Sequence, residues 1–438
     1  MSMTDARGLA LGTANRAAVE HFDRAVALFL DYRGDPMGAL DKALAADPAL
    51  VMAHAMKGAM LCTATERAAV PLIEAVLAAA APGIATATER ERAHLAAVQR
   101  WAGGDIRGAV ETWGRIAMDE PRDTVAVQFA HLGDFFLGQS VMLRDRVAQA
   151  LHRVDAGLPG YGNLLGMHAF GLEECGEYAR AEAEGRRAAS LNARDGWAVH
   201  AVAHVMEMTG RAADGIAWLN PAAAPWNEES LFAYHNWWHR ALFHIELGDW
   251  AAALAEYDAR VRPAPTTLQL QMLDASALLW RLHLRGVDVG NRWGELADKW
   301  QAVLDDRYYA FNDAHAMFAL VATGRLDVAQ RLLDSVAASC AGAGTNADMA
   351  RDVGLPLCAG ILAFGRGDHA AAAETLLAVR PVAQRFGGSH AQRDIITMTL
   401  VEAAHRGGLR GVETALLAER RDAKPDTPLT RLLLRRAA

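Results

Sequence analysis

Apolar positions along the chain recur with helical spacing, and one short pattern of them repeats. A helical run of apolar residues ends at a glycine followed by a polar residue. A second helical run then carries a small residue five positions after the glycine. The glycines are Gly104, Gly138, Gly176, Gly210, Gly248, Gly324 and Gly367, and the first five are separated by 34, 38, 34 and 38 residues. The small partners are Ala109, Ala181, Gly215, Ala253, Ala329 and Ala372, while the Gly138 copy lacks one. Seven residues before the glycine a further small side chain stands at Ala97, Ala169, Ala203, Ala241 and Gly360. A glycine can take the left-handed conformation that ends a helix, and small side chains let two antiparallel helices pack closely. Alternation of apolar and polar residues is rare, and no Asn-Gly or Asp-Gly pair joins two such runs. The pattern predicts an all-α chain of paired helices.

This spacing is the helix-turn-helix periodicity of tetratricopeptide repeats. Less regular pairs extend it at both ends: 13–32 with 36–46, 50–63 with 66–81, and 389–406 with 409–420. The expected architecture is one α-solenoid over residues 1–438, with irregular helix pairs in 1–85, repeats in 86–423 and a capping segment in 424–438. Such an array curls into a superhelix around a central cavity if each repeat rotates the next. Two interruptions, 219–230 and 260–267, are short enough to be loops between repeats. Arg431, Arg435 and Arg436 in the last segment read as the solvated face of a terminal helix.

Composition narrows the partners. Of 438 residues, 44 are Lys or Arg and 52 Asp or Glu, a formal charge of −8. That balance argues against a nucleic-acid binder or a polybasic membrane-surface protein, because both need clustered positive charge. The opening residues lack a basic segment followed by an apolar core, and the most apolar stretch, 75–81, stops at Pro82, so neither a signal peptide nor a membrane span is expected. Cys62, Cys175, Cys340 and Cys358 are widely separated and form no Cys-x-x-Cys pair, which fits a reducing cytoplasm. Only Lys42, Lys57, Lys299 and Lys424 are lysine, and with abundant alanine and arginine this is the habit of a GC-rich bacterial genome.

The candidate chemistry lies in the histidines. Of 16 histidines, His200, His204, His235, His239 and His244 fall in two adjacent first helices of repeats. A spacing of four puts His200 with His204, and His235 with His239, on one helical face. Counting back from the glycines places His200, His204, Glu207, His235 and Trp238 toward a shared concave groove. Two such faces with Glu207 one turn beyond His204 offer nitrogen and oxygen ligands suited to Zn, Fe or Mn. The His-Glu-x-x-His protease motif is absent. Three readings stay open: a metal site on His200, His204, His235 and His239, a histidine-lined pocket for an organic ligand, and plain packing. Of Trp237 and Trp238, one points into the repeat core and the other can line the groove.

Later segments add candidates. Asp274 and Arg281 stand two turns apart on one face of an apolar helix. The run Phe311-Asn-Asp-Ala-His315 starts another helix, and Phe386-Gly-Gly-Ser-His-Ala-Gln-Arg-Asp394 opens a further one. Asp313 and Ser389 read as helix caps, and Gly387-Gly388 as a weak anion-binding signal. Arg393 with Asp394 reads as an ion-pair lock or a substrate clamp.

Together, Gly166-Met-His-Ala-Phe-Gly-Leu-Glu-Glu174, Ala198-Val-His-Ala-Val-Ala-His-Val-Met-Glu-Met208, His235-Asn-Trp-Trp-His239, the 274–281 helix, Phe311–His315 and Gly387–Asp394 resemble the tetratricopeptide repeat protein 38 family. The likeness covers the chain from about residue 90 onward. It implies an α-helical repeat protein and no particular reaction, so the matching His168, His200, His204, His235, His239, His315 and His390 are site candidates.

Two function classes follow. A small metabolite bound at the histidine cluster would use His204 and His239 as proton-transfer or ligand pair, Glu207 to orient an imidazole and Arg393 to hold an anionic group. His168, His200, His235, Trp238, Asp274, Arg281, His315 and His390 would line the pocket. The cofactor stays open, with a divalent Zn, Fe or Mn as the candidate. The alternative is a non-catalytic scaffold taking peptides in its groove, although the lysine-based carboxylate clamp usual there is missing between Lys57 and Lys299.

Overall fold

The computed structural model describes residues 3–220, 222, 224–424 and 427–437. Pro221 and Ala223 of the first interruption, the first two residues of the chain, and Pro425, Asp426 and Ala438 of the last segment lie outside the described residues. The protein is an all-α helical-repeat solenoid. Among the described residues it departs from this in a two-stranded antiparallel hairpin, Met3–Thr4 with Ala10–Leu11, which the periodicity did not signal, and in an isolated bridge between Arg33 and Ser230. No helix among the described residues is long and apolar enough to cross a membrane.

Contacts divide the chain into two compact units, residues 1–202 with 224–233, and residues 203–223 with 234–438. The first contains the hairpins Arg16–Leu30/Pro36–Ala46, Val51–Thr63/Val70–Ala80, Glu89–Ala102/Ile106–Asp119, Thr124–Phe136/Ser140–Leu151 and Tyr161–Glu174/Tyr178–Leu191. Part of the 219–230 interruption does more than link repeats. Leu231 N–H donates to Tyr32 O at 2.7 Å and Gly34 N–H to Glu229 O at 2.9 Å, so this segment is pinned to the turn after the first helix.

The second unit carries Ala233–Leu247/Trp250–Glu256, Gln269–His283/Arg292–Gln301, Ala310–Ala322/Leu326–Cys340, Leu355–Gly365/His369–Val379 and His390–Arg406/Arg410–Ala423. The second interruption begins as a wide helical turn, Tyr257–Val261. The terminal helix is Pro428–Ala437; Arg431 and Arg435 on it are exposed, but Arg436 pairs with Glu402 at 2.8 Å.

The repeat glycines do what their chemistry suggests. All seven have φ between 65° and 86°, and Gly286 and Gly408 join them at 68° and 69°. At Gly248, the N–H of Asp249 reaches back to His244 O at 2.9 Å, closing the helix end, and the Asp249 side chain then accepts from Ala252 N–H to cap the next helix. Gly286 escaped the pattern because Val287 follows it and Asn291, not a small residue, stands five positions on.

The small partners Ala109, Ala181, Ala253, Ala329 and Ala372 are fully buried. At Gly215 the approach is closest, since an added Cβ would lie 2.2 Å from Cε2 of Phe243. Gly215→Ala is therefore expected to cost about 1–3 kcal/mol through overpacking. Denaturant unfolding checks this, and unchanged stability would contradict the close packing.

Candidate metal centre

The helix Gly196–Met208 is started by Asp195, whose carboxylate accepts from the N–H groups of Trp197 and Ala198 at 3.0 Å each. The helix Ala233–Leu247 supplies His235, Trp238 and His239, and Gln269–His283 supplies Asp274 and Arg281. All seven side chains are buried.

Two imidazoles are oriented by carboxylates. His239 Nδ1–H donates to Glu207 Oε2 at 2.9 Å, and His235 Nδ1–H donates to Asp274 Oδ2 at 2.7 Å. With Nδ1 as the donor, Nε2 is the ring nitrogen left to face the other imidazoles. The ring of His239 lies 4.4 Å from that of His204 and 4.9 Å from that of His235, centroid to centroid. His200 stands one turn before His204 on the same helix, and one ring nitrogen from each of His204, His235 and His239 lies within 4.8 Å of the others. Trp238 stacks on His235 at 5.2 Å with ring planes 14° apart and meets His239 edge-on at 4.9 Å. Trp237 is buried under Arg260 instead, 4.2 Å from its ring centre.

A carboxylate beside a histidine ordinarily raises its pKa, yet His239 is held well below the usual imidazole value. Burial is the largest cause, followed by the neighbouring His204 and His235 and the charges of Arg281 and Lys424. His239 is thus a neutral, carboxylate-oriented nitrogen base at neutral pH.

A charged network backs the histidines. Glu207 Oε1 lies 3.6 Å from Lys424 Nζ, and Lys424 lies 3.9 Å from Asp394. Arg420 donates to both oxygens of Asp394, at 3.0 and 2.9 Å, and to Glu246 at 2.6 Å. Burial alone would raise the Asp394 carboxyl, but Arg420 and Lys424 hold it well below the carboxylate range. Lys424, expected on a capping segment, is 4% exposed. Sequence reasoning missed Lys424, Arg420 and Glu246; the available signal was a rare lysine one turn after Arg420.

The remaining candidates fall as follows. His168 donates from Nδ1 to Glu184 at 2.8 Å within its own helical hairpin. His315 Nδ1–H donates to Phe311 O at 2.8 Å, and burial lowers its pKa to about 4. His390 is half-buried in the first turn of its helix. Ser389 is a cap as expected, accepting from Gln392 N–H while Gln392 returns a contact to Ser389 N–H. Arg393 donates from Nη1 to the carbonyls of Gly387 and Gly388, so that group ties the glycine turn.

Asp313 is no cap. It sits inside the helix Ala310–Ala322, whose cap position is Tyr309, and burial together with Asp306 pushes its carboxyl up to about 7. Between about pH 4 and 7 the folded protein keeps a proton that the unfolded chain has released, so this group lowers stability as pH rises. Asp313→Asn is expected to raise Tm by at least about 2 °C at pH 8 and by less at pH 5. Thermal melts at both pH values check it, and equal shifts would contradict the raised pKa. Compared with the sequence profiles of known protein families, the chain matches none.

Proposed function

We propose that this protein holds a divalent transition metal on His204, His235 and His239, and uses it for acid–base chemistry on a small polar metabolite. A tetratricopeptide-type solenoid of the tetratricopeptide repeat protein 38 family is the scaffold in this reading. The observation that carries it is the pair of carboxylate-bound imidazoles, His239 on Glu207 and His235 on Asp274. Metal-ligating histidines characteristically give their second ring N–H to a carboxylate, which fixes the tautomer and raises ligand basicity. Packing alone has no need to do this twice with converging rings.

The donor set is imidazole nitrogen, which suits Zn or Fe better than Mg or Ca. Three histidines leave a position for water, whose pKa a zinc ion lowers to about 7. A metal held there would supply a base or nucleophile by activating water, and Trp238 would give the metabolite an apolar wall.

Native mass spectrometry of untagged protein, set against its denatured mass, tests the reading. Near-stoichiometric metal is expected in the wild type and none in the His204→Ala/His239→Ala double variant. A wild type that stays metal-free after incubation with Zn, Fe(II) and Mn would overturn it.

A further inference from the structure

Asp313 carries a buried carboxylate oxygen that no described residue satisfies. It stands in the first turn of the helix Ala310–Ala322, directly after the turn 303–309. The residue is 8% exposed, and its Oδ2 accepts no hydrogen bond from the described residues. Asp313 lines a small cavity together with Asp306, Asn312, Gln269, Tyr308 and the apolar face of Trp300. The space has room for about one water-sized body. A buried carboxylate oxygen without a donor is costly, so a partner inside that cavity would stabilise the fold.

The turn sets a second carboxylate beside the first. Asp306 is half-buried, and after burial it is the group that does most to push the Asp313 carboxyl up. Gln269 Nε2–H donates to Asp306 Oδ2 at 2.9 Å, and Asn312 Nδ2–H donates to Gln269 Oε1 at 2.7 Å. This relay ends on Asp306 and does not reach Asp313 Oδ2. Arg307 is the cation that faces Asp313, yet its Nε–H donates to Ser335 Oγ at 2.8 Å and its Nη2 meets Asp305 at 3.4 Å. Two neighbouring carboxylates in a buried place are held together by a proton or by a cation between them.

We propose that the cavity between Asp306 and Asp313 binds one hard divalent cation, calcium. The site shares no residue with the histidine cluster and stands apart from the function assigned to it. Its side chains offer carboxylate, amide and phenol oxygens and no imidazole or thiolate, a donor set that suits calcium or magnesium and not zinc or iron. Magnesium keeps several of its waters, for which a space of one water-sized body has no room, whereas calcium accepts an irregular shell of protein oxygens. Bound there, calcium takes the place of the Asp313 proton and ties the turn 303–309 to the helices Gln269–His283 and Ala310–Ala322.

Thermal shift on the intact, chelator-dialysed protein tests this, with choline chloride of equal ionic strength as the reference. At pH 8, calcium at about 10 mM is expected to raise the Tm of the wild type by at least about 2 °C, magnesium by clearly less and sodium not at all. Asp313→Asn and Asp306→Asn are each expected to lose the calcium shift, and His204→Ala/His239→Ala to keep it. Calcium affinity should fall by about tenfold from pH 8 to pH 6, because the ion then competes with a proton on Asp313. The other groups facing Asp313 are Asp306, the Arg307 guanidinium and the Cys358 thiol, which burial and Asp313 hold well above its ordinary value. No shift specific to calcium, an equal shift with magnesium, a shift retained in Asp313→Asn, or one lost in the double histidine variant would each overturn the proposal. Asp313 holding only a proton and a water predicts the first of these. If Asp306→Asn misfolds, Asp313→Asn and the pH series decide.

Discussion

Asp394→Ala is expected to cost about 3–5 kcal/mol, because it strips a buried partner from Arg420 and Lys424 together. Arg420 loses contacts at 3.0 and 2.9 Å and keeps only Glu246, while Lys424 keeps only Glu207 at 3.6 Å. For a unit of roughly 200 residues that loss corresponds to a fall in Tm of about 6–20 °C. The deficit also has a pH signature. The Asp394 carboxyl is held below its ordinary 3.8 in the folded protein, so its contribution is complete above about pH 4 and is lost as pH falls through the folded value. Melting curves of wild type and variant should stay equally far apart from pH 8 to pH 5 and converge in stronger acid. Adding Arg420→Met to Asp394→Ala should cost less than the sum of the single changes, since the second removes a charge that the first leaves unmet. Strict additivity would show that the two side chains are not coupled.

The second large effect is on metal affinity. Glu207→Gln keeps the size of the side chain but removes the charge that faces both His239 Nδ1 and Lys424. Metal affinity is expected to fall by about 10–100-fold, the usual consequence of losing a carboxylate behind a ligating histidine. Asp274→Asn should produce a separate loss through His235. Competition against a chromogenic chelator measures both. An unchanged affinity in Glu207→Gln would mean that His239 is held for packing and not for ligation.

The repeat pattern was readable because each helical hairpin states its own turn. A glycine with positive φ in the turn is a local requirement, and of the ten such hairpin glycines among the described residues all but Gly34, Gly286 and Gly408 declare themselves. Gly286 did not, since its hairpin packs without a small residue at 291. The short Met3–Leu11 hairpin carried no alternation long enough to notice.

The site was legible in part for the same reason. A four-residue spacing puts His204 on the face of His200 and His239 on the face of His235 by helix geometry alone, and Glu207 follows His204 by one turn. The pairing of Asp274 with His235 needed the fold, although the seven-residue spacing of Asp274 and Arg281 already put both on one face. In the structure both reach the same helix, Asp274 to His235 and Arg281 to Trp238. Lys424 was out of reach, because nothing local distinguishes a buried lysine after a terminal helix from a solvated one. Only tertiary contact with Glu207 and Asp394 gives it meaning.

The most direct test of the metal centre is X-ray absorption on protein loaded with one equivalent of zinc. A first shell of nitrogen at about 2.0–2.1 Å, with the outer-shell scattering of three imidazoles, is the expected result. A shell dominated by sulfur at about 2.3 Å, or by oxygen without imidazole scattering, would contradict it.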